Sequence, residues 1–147
     1  MTKRWYFTYG SNMRPERMLA RTGDAAGTPA VLDGWTLTFN KRGSVGGTYA
    51  NIEPSEQHST WGVAYHCDDA ALRALDRAEG VGGGHYRRRV LSVTLDDGEQ
   101  VDAVVYVACR KSISEGRPPE WYLHTILDGI YAWGLPDEAT ETVLLAV

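Results

Sequence analysis

The 147-residue sequence predicts an α+β fold with a mainly antiparallel, closed sheet. Three observations carry that prediction. Segments with alternating apolar residues recur along the chain, about six in all, and turns join most of them. Helical patterns are inserted among these strands without a strand–helix–strand rhythm, which argues against a parallel sheet. No repeat with a period of about 20–50 residues is present. The length fits one domain and is enough to bury a real core.

Trp5 to Tyr9 is aromatic and β-prone and reads as the first strand. Gly10-Ser11-Asn12 breaks it, and Arg14 to Ala20 reads as a short helix with Pro15 in its first turn. A strand, a Gly-Ser turn and a helix start bring unpaired N–H groups together, which suits an anionic group. An ordinary strand–helix turn has the same sequence. Ala30 to Asn40 is the next strand, with Trp35, Leu37 and Phe39 alternating with Thr36 and Thr38. Lys41 to Gly47 is a glycine-rich, mobile loop. Thr48 to Ile52 reads as a short strand stopped by Pro54, Glu56 to Ser59 as a polar turn, and Thr60 to Cys67 as another strand.

The next segment is a helix, and its end carries the main candidate for chemistry. Asp68-Asp69 can cap it, Ala70 to Glu79 can form it, and Gly80 suits the left-handed residue after it. Leu72, Leu75 and Glu79 share one face, whereas Arg73 and Asp76 fall away from it toward water. A carboxylate held beside leucines at the negative end of a helix has its charged form disfavoured twice. Its pKa then rises toward the range useful for proton transfer. Spacing alone also fits a surface glutamate at a frayed helix end.

Val81 to His85 is a glycine-rich turn. Tyr86 to Leu95 and Gln100 to Cys109 are two strands joined by an Asp-Gly hairpin at Asp97-Gly98. Arg87-Arg88-Arg89 reads as solvated or ion-paired, because neighbours on a strand point to opposite faces. Pro118-Pro119 opens a helix from about Glu120 to Ala132, ended by Gly134. Asp137 to Val147 is a last short helix or a docked tail.

The net charge of −4 gives no reason to expect nucleic acid or an anionic membrane as partner. No apolar run approaches the roughly 20 residues of a membrane span. Met1 to Trp5 leads straight into a strand, leaving no room for a signal peptide. Cys67 and Cys109 make no disulfide framework, so a reduced, cytoplasmic protein is expected. The histidines are scattered, and His66 and Cys67 point to opposite faces, so no metal site is expected. Ser11 has no nucleophile-elbow context. Tyr106 and Tyr122 read as core or interface residues on their own. Any chemistry therefore falls to a glutamate with hydrogen-bond donors.

Four segments together resemble the γ-glutamyl cyclotransferase family. They are Tyr9-Gly10-Ser11-Asn12-Met13 with Arg17-Met18; Trp61-Gly62-Val63; Leu75 to Val81 with Tyr86 downstream; and Tyr122-Leu123 with Gly129 and Gly134-Leu135-Pro136. They span nearly the whole chain in family order. The resemblance implies a small, mainly antiparallel β-barrel with peripheral helices. It implies cyclisation of a γ-glutamyl group to 5-oxoproline with release of an amine, without metal or cofactor. Glu79 matches the catalytic glutamate of the family. Tyr9, Gly10, Ser11 and Asn12 match its substrate-holding loop, and Tyr106 and Tyr122 are implied as substrate contacts. The same fold also serves γ-glutamylamines, γ-glutamyl protecting groups on biosynthetic intermediates, and binding without catalysis. The loop at Arg42 to Gly47 offers room for a bulky leaving group. The aromatics of the long C-terminal helix offer a face for a homodimer.

Overall fold

Alternation along the strands sorts their side chains into two faces, and closure of the sheet decides which face is interior. The computed structural model describes residues 2–147; Met1, part of the N-terminal lead-in, lies outside them. The strands are β1 (Arg4–Thr8), β2 (Gly27–Arg42), β3 (Thr48–Cys67), β4 (Tyr86–Leu95) and β5 (Gln100–Ala108). They close a barrel in the order β1-β3-β2-β4-β5. Every neighbouring pair is antiparallel except β1 with β5. The helices are α1 (Pro15–Thr22), α2 (Asp69–Ala78), α3 (Glu120–Trp133) and α4 (Asp137–Ala146). Among the described residues no helix is long and apolar enough to cross a membrane.

The pairings Phe7↔Ala64, Thr28↔Ala64, Ala30↔Leu95, Val93↔Val101 and Leu91↔Ala103 put one apolar set on the inside. Phe7, Ala30, Leu32, Ala64, Val93, Ala103 and Val105 are all buried there. Tyr6, Tyr65 and Tyr106 take the opposite face, under the helices. Tyr65 Oη donates to the Asn12 carbonyl at 2.9 Å, and Tyr106 Oη reaches the Leu72 carbonyl in α2. Their rings pack on Tyr6, with centroids at 6.3 Å and 5.7 Å.

The expected count of about six strands is corrected to five. Pro54 does not end a strand; β3 runs through it from Thr48 to Cys67. Between the pairs Trp35↔Pro54 and Asp33↔Ser59, Gly34 alone faces Ser55, Glu56, Gln57 and His58. The polar stretch that looks like a turn is thus a bulge in one long strand. β2 also continues to Arg42, so Lys41 belongs to a strand and not to the loop after it.

Two glycines of the matching segments are explained by close approach. A Cβ on Gly62 would collide with the Thr8 carbonyl oxygen, so β1 can lie tightly on β3. A Cβ on Gly129 would stand 2.7 Å from Met13 Cβ, so α3 can press on the turn that follows β1. The last segment is a helix, α4, docked by Ala139 and Val143.

Candidate active site

The Tyr9–Met13 segment leaves β1, passes through Gly10 and enters a 3₁₀ turn at Ser11–Met13 before α1. Its carbonyls are tied down from outside. Trp133 Nε1 donates to the Met13 carbonyl at 2.7 Å, and Tyr65 Oη donates to that of Asn12. The N–H groups at the start of such a turn have no intrahelical acceptor and are left for another partner. The Gly10 N–H makes only a long contact, 3.4 Å, with Thr8 Oγ1. Gly10 is small because Tyr122 sits against it: an added Cβ would stand 3.2 Å from Tyr122 Oη.

α2 forms as its sequence predicts. The Asp68 carboxylate accepts from the Ala71 N–H at 2.8 Å, Leu72 and Leu75 are buried, and Gly80 adopts φ 65°. Glu79 is the last residue before that left-handed glycine and turns into a cavity of about 400 Å³. The buried Asn12 amide joins the two halves of the site. Asn12 Nδ2 donates to Tyr6 Oη at 2.9 Å and reaches Glu79 Oε1 at 3.5 Å. Burial pushes the Glu79 carboxyl above its ordinary value, and the charges of Arg21, Arg17 and Lys41 only partly oppose this. Among the described residues Glu79 has no ion pair.

The cavity brings together all seven residues singled out from sequence: Tyr9, Gly10, Ser11, Asn12, Glu79, Tyr106 and Tyr122. Their hydroxyl groups are not equivalent. Tyr9 Oη donates to the Tyr106 carbonyl at 2.6 Å, and Tyr106 Oη donates to Asp76 Oδ1 at 2.7 Å. Both protons are therefore committed to the protein. Tyr122 Oη instead accepts from the Ala50 N–H at 3.1 Å, which leaves its own proton for the cavity. Burial raises its pKa, so the phenol stays protonated. Tyr106 thus lines the cavity while its hydroxyl faces Asp76.

Asp76 corrects the expectation that it points to water. Arg88 grips it with two hydrogen bonds of 2.7 Å each, one to each carboxylate oxygen. The strand–helix contact that makes this pair is not visible from helix spacing alone.

Sequence reasoning missed a ring of cations and aromatics in the same cavity: Arg17, Arg21, Lys41, Tyr86 and Trp121. Arg17 lies over the Trp121 ring at 5.9 Å, and Lys41 over Tyr86 at 5.5 Å. Arg17 Nε is buried without a partner among the described residues. Arg17 and Tyr86 stand in the matching segments, which was the available signal; Lys41 had none.

A family model described as gamma-glutamyl cyclotransferase, AIG2-like, matches residues 6–125. The human gamma-glutamylcyclotransferase is 32% identical over 143 residues, covering 92% of this chain and 74% of its own. A solved gamma-glutamyl cyclotransferase superposes with a TM-score of 0.88 at 28% identity, over 96% of this chain and 86% of that one. YkqA from Bacillus subtilis superposes with a TM-score of 0.84 at 27% identity, over 97% of this chain and 53% of that one. The closed β-barrel agrees with these comparisons, and the chain belongs to the γ-glutamyl cyclotransferase, AIG2-like family.

Proposed function

We infer that this protein cyclises γ-glutamyl compounds to 5-oxoproline and that Glu79 moves the proton. One observation carries the assignment to Glu79: a carboxylate without an ion partner, its pKa raised by burial, shares a cavity with the free N–H groups after β1. The substrate's α-amine arrives protonated, and Glu79 takes one proton from it. The freed amine attacks the γ-carbonyl carbon, a new C–N bond closes the five-membered ring, and negative charge collects on the carbonyl oxygen. The Tyr122 hydroxyl and the N–H groups of Gly10, Ser11 and Asn12 are the donors for that oxygen and for the α-carboxylate. When the tetrahedral intermediate collapses, the original C–N bond breaks and Glu79 returns its proton to the leaving nitrogen. The ring nitrogen then sheds its remaining extra proton, and the released amine takes up one proton to leave as an ammonium ion. Folding the glutamyl chain so that amine and carbonyl meet supplies much of the rate. Tyr9 and Tyr106 shape the wall through their hydrogen bonds to strand and helix.

The test is release of 5-oxoproline, read by mass spectrometry, from γ-glutamyl amino acids, γ-glutamyl peptides and γ-glutamylamines. Product from at least one class is expected. A folded protein that binds these compounds and releases none would be a binding module of the same fold. A reducing, cytoplasmic setting is supported by two free cysteines. A homodimer through α3 is supported by Tyr131, which is 88% exposed. Sedimentation velocity tests the latter, with a single monomeric species as the contrary result.

A further inference from the structure

We propose that Lys41 makes this site select γ-glutamyl compounds whose leaving amine itself carries a carboxylate, that is, an amino acid or peptide. The proposal rests on the cyclotransferase reading above and concerns the far end of the same cavity.

Lys41 is 5% exposed, which is unusual for a lysine without a charge partner. It comes from the end of β2, paired with Tyr49, and its ammonium lies over the Tyr86 ring. One ammonium hydrogen goes to the Arg42 carbonyl oxygen. An ammonium has three donors, so two remain for a ligand. Among the described residues no carboxylate is paired with it. A buried, uncompensated charge is costly unless something offsets it, and the cavity it faces holds that place.

The charge count of the cavity points the same way. Arg17, Arg21 and Lys41 line it against one carboxylate, Glu79. The glutamyl half of a substrate brings one ammonium, for Glu79, and one α-carboxylate. That leaves positive charge in excess. A γ-glutamyl amino acid supplies a second carboxylate, whereas a γ-glutamyl diamine adds another cation beside Lys41. Lys41 stands at the end of β2, next to the Gly43 and Ser44 stretch of the cavity wall, and on this placement it is assigned to the leaving-group end of the ligand.

The experiment compares γ-glutamylalanine with γ-glutamylethylamine, which differ only by the carboxylate on the leaving group. Two readouts are taken: kcat/KM of the wild-type protein, and equilibrium binding to Glu79→Gln by calorimetry. Expected is a preference of about 10- to 100-fold for the carboxylated compound in both. Lys41→Met should bring the ratio close to one, and Lys41→Arg should keep most of it. Equal handling of the two compounds by protein that retains Lys41 overturns the proposal without using any variant of Lys41. So does an unchanged ratio in folded Lys41→Met. A binding preference without turnover supports Lys41 and overturns the cyclotransferase reading instead. Failure of both compounds to bind overturns both.

Discussion

Asp76 and Glu79 stand one turn apart at the end of α2, yet their surroundings drive them in opposite directions. Asp76 faces the barrel wall, where Arg88 and Tyr106 together give its carboxylate three short hydrogen bonds of 2.7 Å. Burial raises its pKa, but these donors outweigh burial and hold it below the ordinary 3.8. Glu79 faces the cavity, and among the described residues its carboxylate's one hydrogen-bond partner is Asn12, at 3.5 Å. Burial outweighs the nearby charges of Arg21, Arg17 and Lys41, so its pKa stands above the ordinary 4.5. The same chemical group is structural where its partners are supplied and available for proton transfer where they are withheld. The helix supplies both positions; the elements packed against each decide the role.

The largest expected effect comes from removing the charge that is kept free. Glu79→Gln should fold normally and lose about 10²- to 10⁴-fold in kcat, measured as 5-oxoproline release. Near-wild-type turnover would remove Glu79 from the chemistry. Next is the support of the loop opposite. Gly129→Ala drives a methyl group into Met13 and shifts the turn that holds the donors. A loss of about 10- to 100-fold in kcat/KM is expected with helical and barrel structure retained; unchanged kinetics would show that the turn tolerates displacement.

Stability separates the two carboxylates by sign. Asp76→Asn should cost roughly 1–2 kcal/mol at pH 7, measured by denaturant unfolding. Because the folded pKa of Asp76 is depressed, its contribution is present above the ordinary 3.8 and is lost as pH falls through the folded value. The gap between variant and wild type should therefore close in acid. The smallest effect is the reverse one. Glu79 binds its proton more tightly when folded, so its burial lowers stability as pH rises from 4.5 through its folded pKa. Glu79→Gln should thus melt slightly higher than wild type at pH 7 and equally below pH 4.5. A lower melting temperature at pH 7 would mean that the charged form is stabilised by contacts the structure does not contain.

Local rules made much of this legible. Asp68, the leucine spacing and Gly80 predict α2 almost to the residue, because caps and periodicity act within a few positions. The Tyr86–Leu95 and Gln100–Ala108 hairpin was equally plain from its alternation and its Asp-Gly turn. What was not legible depends on long-range pairing. Pro54 looks like a strand stop until β2 is placed beside it and Gly34 absorbs the bulge. Asp76 looks solvated until β4 brings Arg88 to it. Lys41 looks like a loop residue until β2 extends past it and turns it into the cavity. Glu79 itself was ambiguous by spacing; the matching segments around it, and then the cavity, resolved which way it faces.

The most direct measurement is a carbon-detected NMR titration of the Glu79 and Asp76 side-chain carboxyls in the free protein. Glu79 is expected to titrate above 4.5 and Asp76 below 3.8. A Glu79 pKa at or below 4.5 would contradict the claim that burial holds this carboxylate ready to take a proton.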